Sequence, residues 1–322
     1  MKIIRSLSEI DRPFDKAVVT LGNFDGVHLG HREIFRSVVN SARRERGTSI
    51  ICTFEPHPLK MLAADRAPRL INTPEERERL IAASRVDVLL IIPFTPELAA
   101  LSPERFVDEV LIERIGIKHL VVGYDYAFGK GRSGSIEFLR QQGKDKGFVV
   151  DVFGPVQKAG QVISSTRVRQ AILSGDVEGV VNLLGRHFNF EGQVVHGEGR
   201  GHHLGFATAN LETDKELIPA AGVYACIASI DGREISSVVS IGCKSTFGEH
   251  PLTIEAHLLD FDQDVYSQKM RLYFVKKLRD QQTFPDKEAL IVAISDDIDR
   301  ARQCLDQVQI IEYREYLTPE SA

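Results

Sequence analysis

A glycine-rich stretch with two histidines is the segment best suited to chemistry. It reads Gly-Asn-Phe-Asp-Gly-Val-His-Leu-Gly-His over residues 22–31. Glycines let the backbone approach a ligand closely, and a helix that begins at such a turn offers free N–H groups and the positive end of its dipole. His28 and His31 can point into the same turn and donate hydrogen bonds to a phosphate. The stretch therefore predicts a phosphate-binding turn, and its candidate nucleotide-binding residues are Gly22, Asn23, Phe24, Asp25, Gly26 and Gly30.

Two other interpretations of this stretch stay open. It can be an ordinary strand-to-helix turn with two surface histidines, or the histidines can bind a metal ion. No acidic or sulfur-containing side chain stands at a spacing typical of a metal site, which favours phosphate binding.

A second helix start, over residues 163–169, carries hydroxyls and two arginines. A single Ser or Thr at such a place is most often a helix cap. Because this helix follows the last strand of an α/β pattern, Ser165, Thr166 and Arg167 can instead bind the far end of a triphosphate, where arginine neutralises charge.

Residues 123–132 combine aromatic rings, an acid and flexible glycines. Such a segment suits stacking on a planar ring, and a mobile surface loop is the alternative. Its candidate ligand-binding residues are Asp125, Tyr126 and Phe128.

Residues 192–211 hold a second candidate site. Gly199 and Gly201 lie in a glycine-rich turn that suits nucleotide phosphates. Thr208 and Asn210 are two residues apart, so on an extended segment they face the same side. Their oxygens are hard ligands that suit Mg²⁺, although Thr and Asn also often simply close a turn.

The elements that must position these residues differ between the two halves of the chain. In the first half, short β-branched runs alternate with amphipathic helices, which predicts a mostly parallel sheet covered on both faces, with its ligand at the carboxyl ends of the strands. Thr73, Pro74 and Glu76 form a capping-box pattern at one helix start. The predicted strands are 17–21, 49–54, 88–92, 119–122 and 148–152, and one predicted helix is 136–146.

After about residue 185, strands follow one another without helices between them, which suggests a small antiparallel barrel. Asp231-Gly232 is a strong hairpin signal, and a helical tail starts near residue 285. We predict domains over 1–184 and 185–322. The predicted strands of the barrel are 192–196, 223–230, 235–241, 253–261 and 270–275.

Composition excludes several classes of protein. The chain has 322 residues, 43% of them apolar and 26% charged, which excludes a disordered or collagen-like protein. A net charge of −5 argues against a general nucleic-acid binder. The longest apolar run, 88–92, is far shorter than the ~20 residues that span a membrane, and the start lacks a secretory signal. Four scattered cysteines indicate cytosolic free thiols, so we expect a cytoplasmic protein of open oligomeric state.

Three segments together resemble the prokaryotic bifunctional riboflavin kinase/FAD synthetase family. They are residues 22–31, Thr-Phe-Glu-Pro-His-Pro at 53–58, and 163–169, and the likeness runs over nearly the whole chain. It implies an α/β nucleotidyltransferase (Rossmann-like) domain followed by a riboflavin kinase barrel with a C-terminal helix. It also implies two reactions with ATP and Mg²⁺, riboflavin to FMN and FMN to FAD.

The resemblance implies a role for each candidate in the first domain. The attacking FMN phosphate is already anionic, so no general base is needed, and the protein aligns reactants and stabilises charge. His28 and His31 would act at the α-phosphate, and Ser165, Thr166 and Arg167 would hold the leaving pyrophosphate. Asp125, Tyr126 and Phe128 become candidates for flavin binding.

In the second domain, the resemblance implies that Glu255 is the catalytic base, because the attacking hydroxyl is neutral. Thr208 and Asn210 stand in the segment that normally reads Pro-Thr-Ala-Asn. Four positions depart from the family pattern, which predicts a kinase that is present but slower: His202, Ala207, Ser245 and Ser267.

Two alternatives to a bifunctional enzyme follow. One is an FMN adenylyltransferase whose kinase barrel is degenerate. The other is a flavin or nucleotide sensor without turnover, against which the retained histidine pair and the Ser-Thr-Arg set argue.

Overall fold

The computed structural model describes residues 1–158, 160–197, 205–243 and 252–312 of the chain. Its backbone divides into two compact units, one that runs from Met1 to Ser164 and one that begins at Ser165. Residues 165–184 therefore lie in the second unit. The boundary between the two activities at 184/185 stays a prediction.

Six parallel strands form the sheet of the first unit, in the order β1-β4-β3-β2-β5-β6. The central strand β2 has β3 on one side and β5 on the other. Later strands are therefore added first on one side of β2 and then on the other, and β2 lies at this switch point. Ligands of open parallel sheets bind beside the carboxyl ends at such a point. The strands are β1 (Lys2–Ile4), β2 (Ala17–Leu21), β3 (Ser49–Glu55), β4 (Val88–Pro93), β5 (Ile117–Gly123) and β6 (Val149–Phe153).

Helices cover this sheet because the central strands are apolar on both faces; all five residues of β2 are buried. The predicted capping box is confirmed, since Thr73 Oγ1 accepts from Glu76 N at 3.3 Å and Glu76 Oε2 accepts from Thr73 N at 3.2 Å. The other elements are α1 (Leu29–Glu45), α2 (Pro58–Leu62), α3 (Pro74–Ala82), α4 (Pro96–Ala99), α5 (Pro103–Arg105), a π-type helix (Phe106–Ile115), α6 (Ile136–Lys146) and the hairpin β7 (Gln157–Lys158) and β8 (Gln161–Val162).

The second unit contains a closed antiparallel barrel in the order β10-β13-β12-β11-β14-β9. The predicted hairpin is confirmed: Asp231 and Gly232 join β11 and β12 with φ of 48° and 80°, the left-handed conformation that this turn needs. The strands and helices are α7 (Ser165–Ser174), α8 (Val177–Leu184), β9 (Asn189–Val195), β10 (Ala209–Glu212), β11 (Gly222–Ile230), β12 (Arg233–Cys243), β13 (Leu252–Leu258), β14 (Lys269–Arg279) and α9 (Lys287–Leu305).

The predicted fold class is confirmed in both units, and individual strands differ at their ends. The strand predicted over 253–261 ends at Leu258, and Asp260 beyond it has a φ of 56°, which a strand cannot contain. The short strands β1 and β10 were not among the predicted strands. Within the described ranges, no helix is both long and apolar enough to cross a membrane.

Candidate functional site

The predicted phosphate-binding turn directly joins β2 to α1. Phe24, Gly26 and Val27 have φ of 47°, 88° and 39°, so three of its residues are left-handed. A Cβ on Gly26 would lie 2.9 Å from Ile71 Cδ1, and a Cβ on Gly22 would lie 2.9 Å from the Phe24 ring. Both glycines are therefore needed for the close packing of this turn, and Phe24 and Val27 offset their backbone strain by being buried.

The structure brings the two predicted histidines together at the start of α1. His28 is the N-cap residue, and its Nδ1 accepts from His31 N at 3.3 Å. Because Nδ1 accepts, the neutral ring carries its proton on Nε2. The two rings stack with centroids 3.6 Å apart at 20°, and Phe24 contacts His31 edge-on at 5.2 Å. A Cβ on Gly30 would lie 3.1 Å from His28 Cε1, so this glycine makes room for the His28 ring.

The segment 53–58 supports Asn23 from the neighbouring strand. Thr53 Oγ1 donates to the backbone oxygen of Asn23 at 3.3 Å, and Asn23 Nδ2 lies 3.1 Å from His57 Nε2. His57 itself is buried and caps α2, because its Nδ1 accepts from Leu59 N at 3.2 Å. His57 thus belongs to the phosphate-binding turn. In the sequence, its only signal is that it lies in the family segment 53–58.

Asp25 holds this turn to the segment before α3. Its carboxylate accepts from Ile71 N at 3.0 Å and from Asn72 N at 3.2 Å, and it is only 4% exposed. Burial lowers the pKa of the nearby Arg77, and the carboxylates of Glu55 and Asp25 oppose that shift. The contacts of Asp25 are those of a residue that shapes the loop.

The aromatic segment after β5 is divided between surface and core. Asp125 is exposed. Phe128 is buried and packs on Phe106 and Phe138 with centroids 5.4 and 6.2 Å away. Tyr126 stacks on Phe128 at 5.8 Å, and burial raises the pKa of its hydroxyl. Phe128 is therefore a core residue that supports the Tyr126 ring.

Ser165, Thr166 and Arg167 form the first turn of α7. Their helix belongs to the second unit, although the sequence pattern groups them with the phosphate-binding turn. Their part in binding pyrophosphate stays a prediction.

In the barrel, Asn210 and Glu255 are direct cross-strand partners on β10 and β13. Their neighbours Leu211 and Ala256 are buried, whereas Asn210 and Glu255 lie half-buried on the outer face. Thr208 precedes β10 and is also half-buried. Within the part of the chain that the structure describes, none of these three side chains has a hydrogen bond or an ion pair. Three oxygen-bearing side chains are thus left available to a ligand.

Two residues that the sequence does not single out hold this barrel site in place. A Cβ on Gly197 would lie 2.0 Å from Asn210 Nδ2, so only glycine leaves room for the Asn210 amide. His257 Nδ1 donates to the backbone oxygen of Ala207 at 2.7 Å, which ties the Thr208 segment to β13. The only signal in the sequence is that His257 stands two residues after Glu255, on the same strand face.

The four departures from the family pattern fall in different places. Ala207 is exposed, and Ser267 has a φ of 61°, the left-handed conformation that glycine adopts without strain. His202 and Ser245 lie outside the described residues, as do the predicted phosphate contacts Gly199 and Gly201.

The described residues contain no group of three or more His, Cys, Asp and Glu side chains that could hold a metal ion. Metal binding through His28 and His31 gains no support from their surroundings. Thr208 and Asn210 bring neutral oxygens only, so any cation there also needs ligands from phosphate or from a nearby carboxylate.

Comparison with known proteins covers both halves of the chain. Residues 11–167 match the FAD synthetase family, and residues 184–305 match the riboflavin kinase family. The bifunctional riboflavin kinase/FMN adenylyltransferase of Pseudomonas fluorescens is 36% identical over 304 residues, 94% of this chain and 97% of that protein. The enzyme of the same name from Escherichia coli is 34% identical over 305 residues, again 94% and 97%.

The fold has a solved counterpart. A crystal structure from Streptococcus pneumoniae, named a macrolide-efflux protein, has a TM-score of 0.84 and 32% identity and covers 93% of this chain and 98% of its own. That name belongs to the other protein, whereas both family matches and the curated relatives point to flavin chemistry. The chain therefore belongs to the bifunctional riboflavin kinase/FMN adenylyltransferase family, with riboflavin, FMN and ATP as substrates and FAD as product.

Proposed function

We propose that this chain phosphorylates riboflavin on the outer face of its barrel and adenylylates FMN at the turn between β2 and α1, using Mg²⁺ with ATP in the cytoplasm. The observation that supports the kinase site most strongly is the pairing of Asn210 with Glu255. The amide oxygen of Asn210 suits Mg²⁺, and Asn210 stands opposite a carboxylate with which no other described side chain has a hydrogen bond or an ion pair.

In the kinase reaction, Glu255 acts as the general base. It takes the proton of the ribityl 5′-hydroxyl as that oxygen bonds to the γ-phosphorus, while the bond from this phosphorus to the β-phosphate oxygen breaks and ADP leaves. Thr208 and Asn210 suit Mg²⁺ because their oxygens are hard and uncommitted. Bound there, Mg²⁺ would neutralise charge on the phosphates.

In the adenylyl transfer, the FMN phosphate attacks the α-phosphorus, and the bond to the β-phosphate oxygen breaks to release pyrophosphate. The Nε2–H of His28 and the N-terminal N–H groups of α1 stabilise charge on the phosphates, with His31 beside them. Ser165, Thr166 and Arg167 bind the departing pyrophosphate. Arginine suits this role because it stays charged and can make two parallel hydrogen bonds.

On the flavin side of the same reaction, we assign direct contact to Asp125 and Tyr126. Asp125 is exposed, and the Tyr126 ring is held in place by Phe128. Phe128 supports the site through packing, because it is itself part of the core.

A chromatographic time course with purified protein tests the proposal. Riboflavin and FMN are supplied separately with Mg²⁺ and ATP, in oxidised and reduced form. Conversion of riboflavin to FMN and then FAD is expected. Conversion of FMN alone would mean a degenerate kinase barrel, and no turnover of either flavin would favour a sensor.

Replacing Glu255 by Gln tests the base assignment in the same assay. The kinase rate is expected to fall ~10²–10⁴-fold, whereas FAD formation from FMN stays unchanged. Glu234→Gln is the control, because Glu234 is an exposed carboxylate of the same barrel. An unchanged kinase rate in Glu255→Gln would remove Glu255 from the mechanism.

A further inference from the structure

Ser240 extends the proposed kinase site onto a third strand. Glu255 on β13 pairs with Asn210 on one side and with Ser240 of β12 on the other. Directly opposite residues of antiparallel strands share a face and have Cβ atoms about 4.5–5.5 Å apart. Asn210, Glu255 and Ser240 therefore form one row across the outer face of the barrel.

Gln281 fixes the orientation of the Ser240 hydroxyl. Its Nε2 donates to Ser240 Oγ at 3.0 Å and to the backbone oxygen of Ile241 at 2.9 Å, so both amide hydrogens are used. Gly242 lets the amide approach this closely, because a Cβ there would lie 3.3 Å from Gln281 Nε2. The amide is thereby clamped against strand β12.

The clamped pair presents one donor, on the residue opposite Glu255, and one acceptor, on Gln281. Since Ser240 Oγ accepts from Gln281, its own O–H remains to donate, and no described residue accepts it. Gln281 Oε1 likewise has no donor within the described ranges. A hydroxyl group both accepts and donates, so a single hydroxyl of a ligand can satisfy both atoms.

We propose that Ser240 and Gln281 bind the 4′-hydroxyl of the ribityl chain, the neighbour of the reacting 5′-hydroxyl. The inference rests on the proposed role of Glu255, which receives the 5′-hydroxyl proton one position along the row. The pair selects a substrate with two adjacent hydroxyls, because a deoxy chain would leave the Ser240 donor and the Gln281 acceptor unmatched.

The test compares riboflavin with 4′-deoxyriboflavin in the original chain and in Ser240→Ala. The original protein is expected to prefer riboflavin about tenfold or more in kinase kcat/KM, because the deoxy flavin lacks two neutral hydrogen bonds. Ser240→Ala removes one of the two, so it should reduce that preference by reacting more slowly with riboflavin only. Equal losses with both flavins, or an unchanged preference, would overturn the inference.

Ser236→Ala is the matched control, because Ser236 lies four residues away on the same face of the same strand. It should keep the preference, and a thermal unfolding transition like that of the original protein reports that the barrel of each variant is folded.

Flavin fluorescence separates failure of the inference from failure of the proposed function. Binding of both flavins is measured in Glu255→Gln, where no turnover is needed. A retained preference for riboflavin supports the Ser240 contact even if Glu255 is not the base. If the two flavins bind equally while the kinase still requires Glu255, the Ser240 contact is rejected and the proposed role of Glu255 is retained.

Discussion

The ring of His28 stacks on the ring of His31, and His28 Nδ1 accepts the backbone N–H of that same residue. One side chain thus caps α1 and aims its other nitrogen away from the helix backbone. The cap uses Nδ1, whereas the proposed charge stabilisation uses Nε2 of the same ring, so the two roles can be separated by mutation.

Replacing His28 by Asn should separate these two roles. Asn is a good N-cap residue, so Tm should stay within a few degrees of the original, whereas the Nε2–H donor is lost. FAD formation from FMN should fall ~10²-fold or more, as for loss of a charge-stabilising donor. The kinase rate is the internal control, and a normal FAD rate in the folded variant would exclude His28 from charge stabilisation.

Replacing Gly197 by Ala should damage the kinase site without unfolding the barrel. The new Cβ would stand 2.0 Å from Asn210 Nδ2, so the amide must move away from its position opposite Glu255. We expect the Mg²⁺ concentration for half-maximal kinase activity to rise about tenfold, as when a metal ligand loses its support.

Gly154→Ala is the control for that change. A Cβ on Gly154 meets no atom within 4 Å, and its φ is not left-handed, so neither activity should change. A normal Mg²⁺ dependence in Gly197→Ala would show that kinase activity does not depend on the present position of the Asn210 amide.

Local patterns in the sequence predicted the elements well. β2 spans the predicted residues 17–21 because a continuous apolar run suits a strand buried on both faces. α6 spans the predicted 136–146, where Ser135 caps its start and Gly147 ends it with a φ of 78°. Strand periodicity and helix caps depend on residues that are close together in the chain, so they can be read directly from the sequence.

Contacts between distant segments could not be predicted in the same way. The register of β10 on β13 sets Asn210 opposite Glu255, and no local pattern fixes a register between strands so far apart in the chain. His257 reaches Ala207 across that same pairing. Phe128 shows a different limit: an aromatic residue near a candidate site can equally belong to the core, and only burial separates the two.

Replacing Ser267 by Gly should stabilise the barrel. Ser267 has a φ of 61°, while its N–H donates to Val194 O at 2.9 Å, so the strained conformation is held by the sheet. Glycine removes the steric cost of this conformation, but it also gives the unfolded chain more conformational freedom. The free energy of unfolding should therefore rise by a net ~1 kcal/mol. Thermal unfolding should show a Tm higher by ~2–4 °C. Ser267→Ala keeps the Cβ and should show no gain; an equal gain there would refute the backbone explanation.

Stability of the second unit should depend on pH through His187. His187 Nδ1 accepts from Ile311 N at 3.0 Å, and His187 N donates to Ile311 O at 3.1 Å, so this residue pairs with the segment after α9. Burial lowers the pKa of His187. The unfolded chain therefore binds a proton at a higher pH than the folded one, and stability falls as pH drops from the ordinary histidine pKa of ~6.5 to the lowered folded value.

Urea unfolding at several pH values between 7.5 and 5 measures this effect. His187→Gln removes the titrating ring, so its stability should change less with pH over this interval than that of the original protein. His196→Gln is the control, because His196 is exposed and its ring stacks on that of Tyr266 at the surface of the barrel. If His187→Gln and the original protein lost stability equally on acidification, the pH dependence would have to come from other groups.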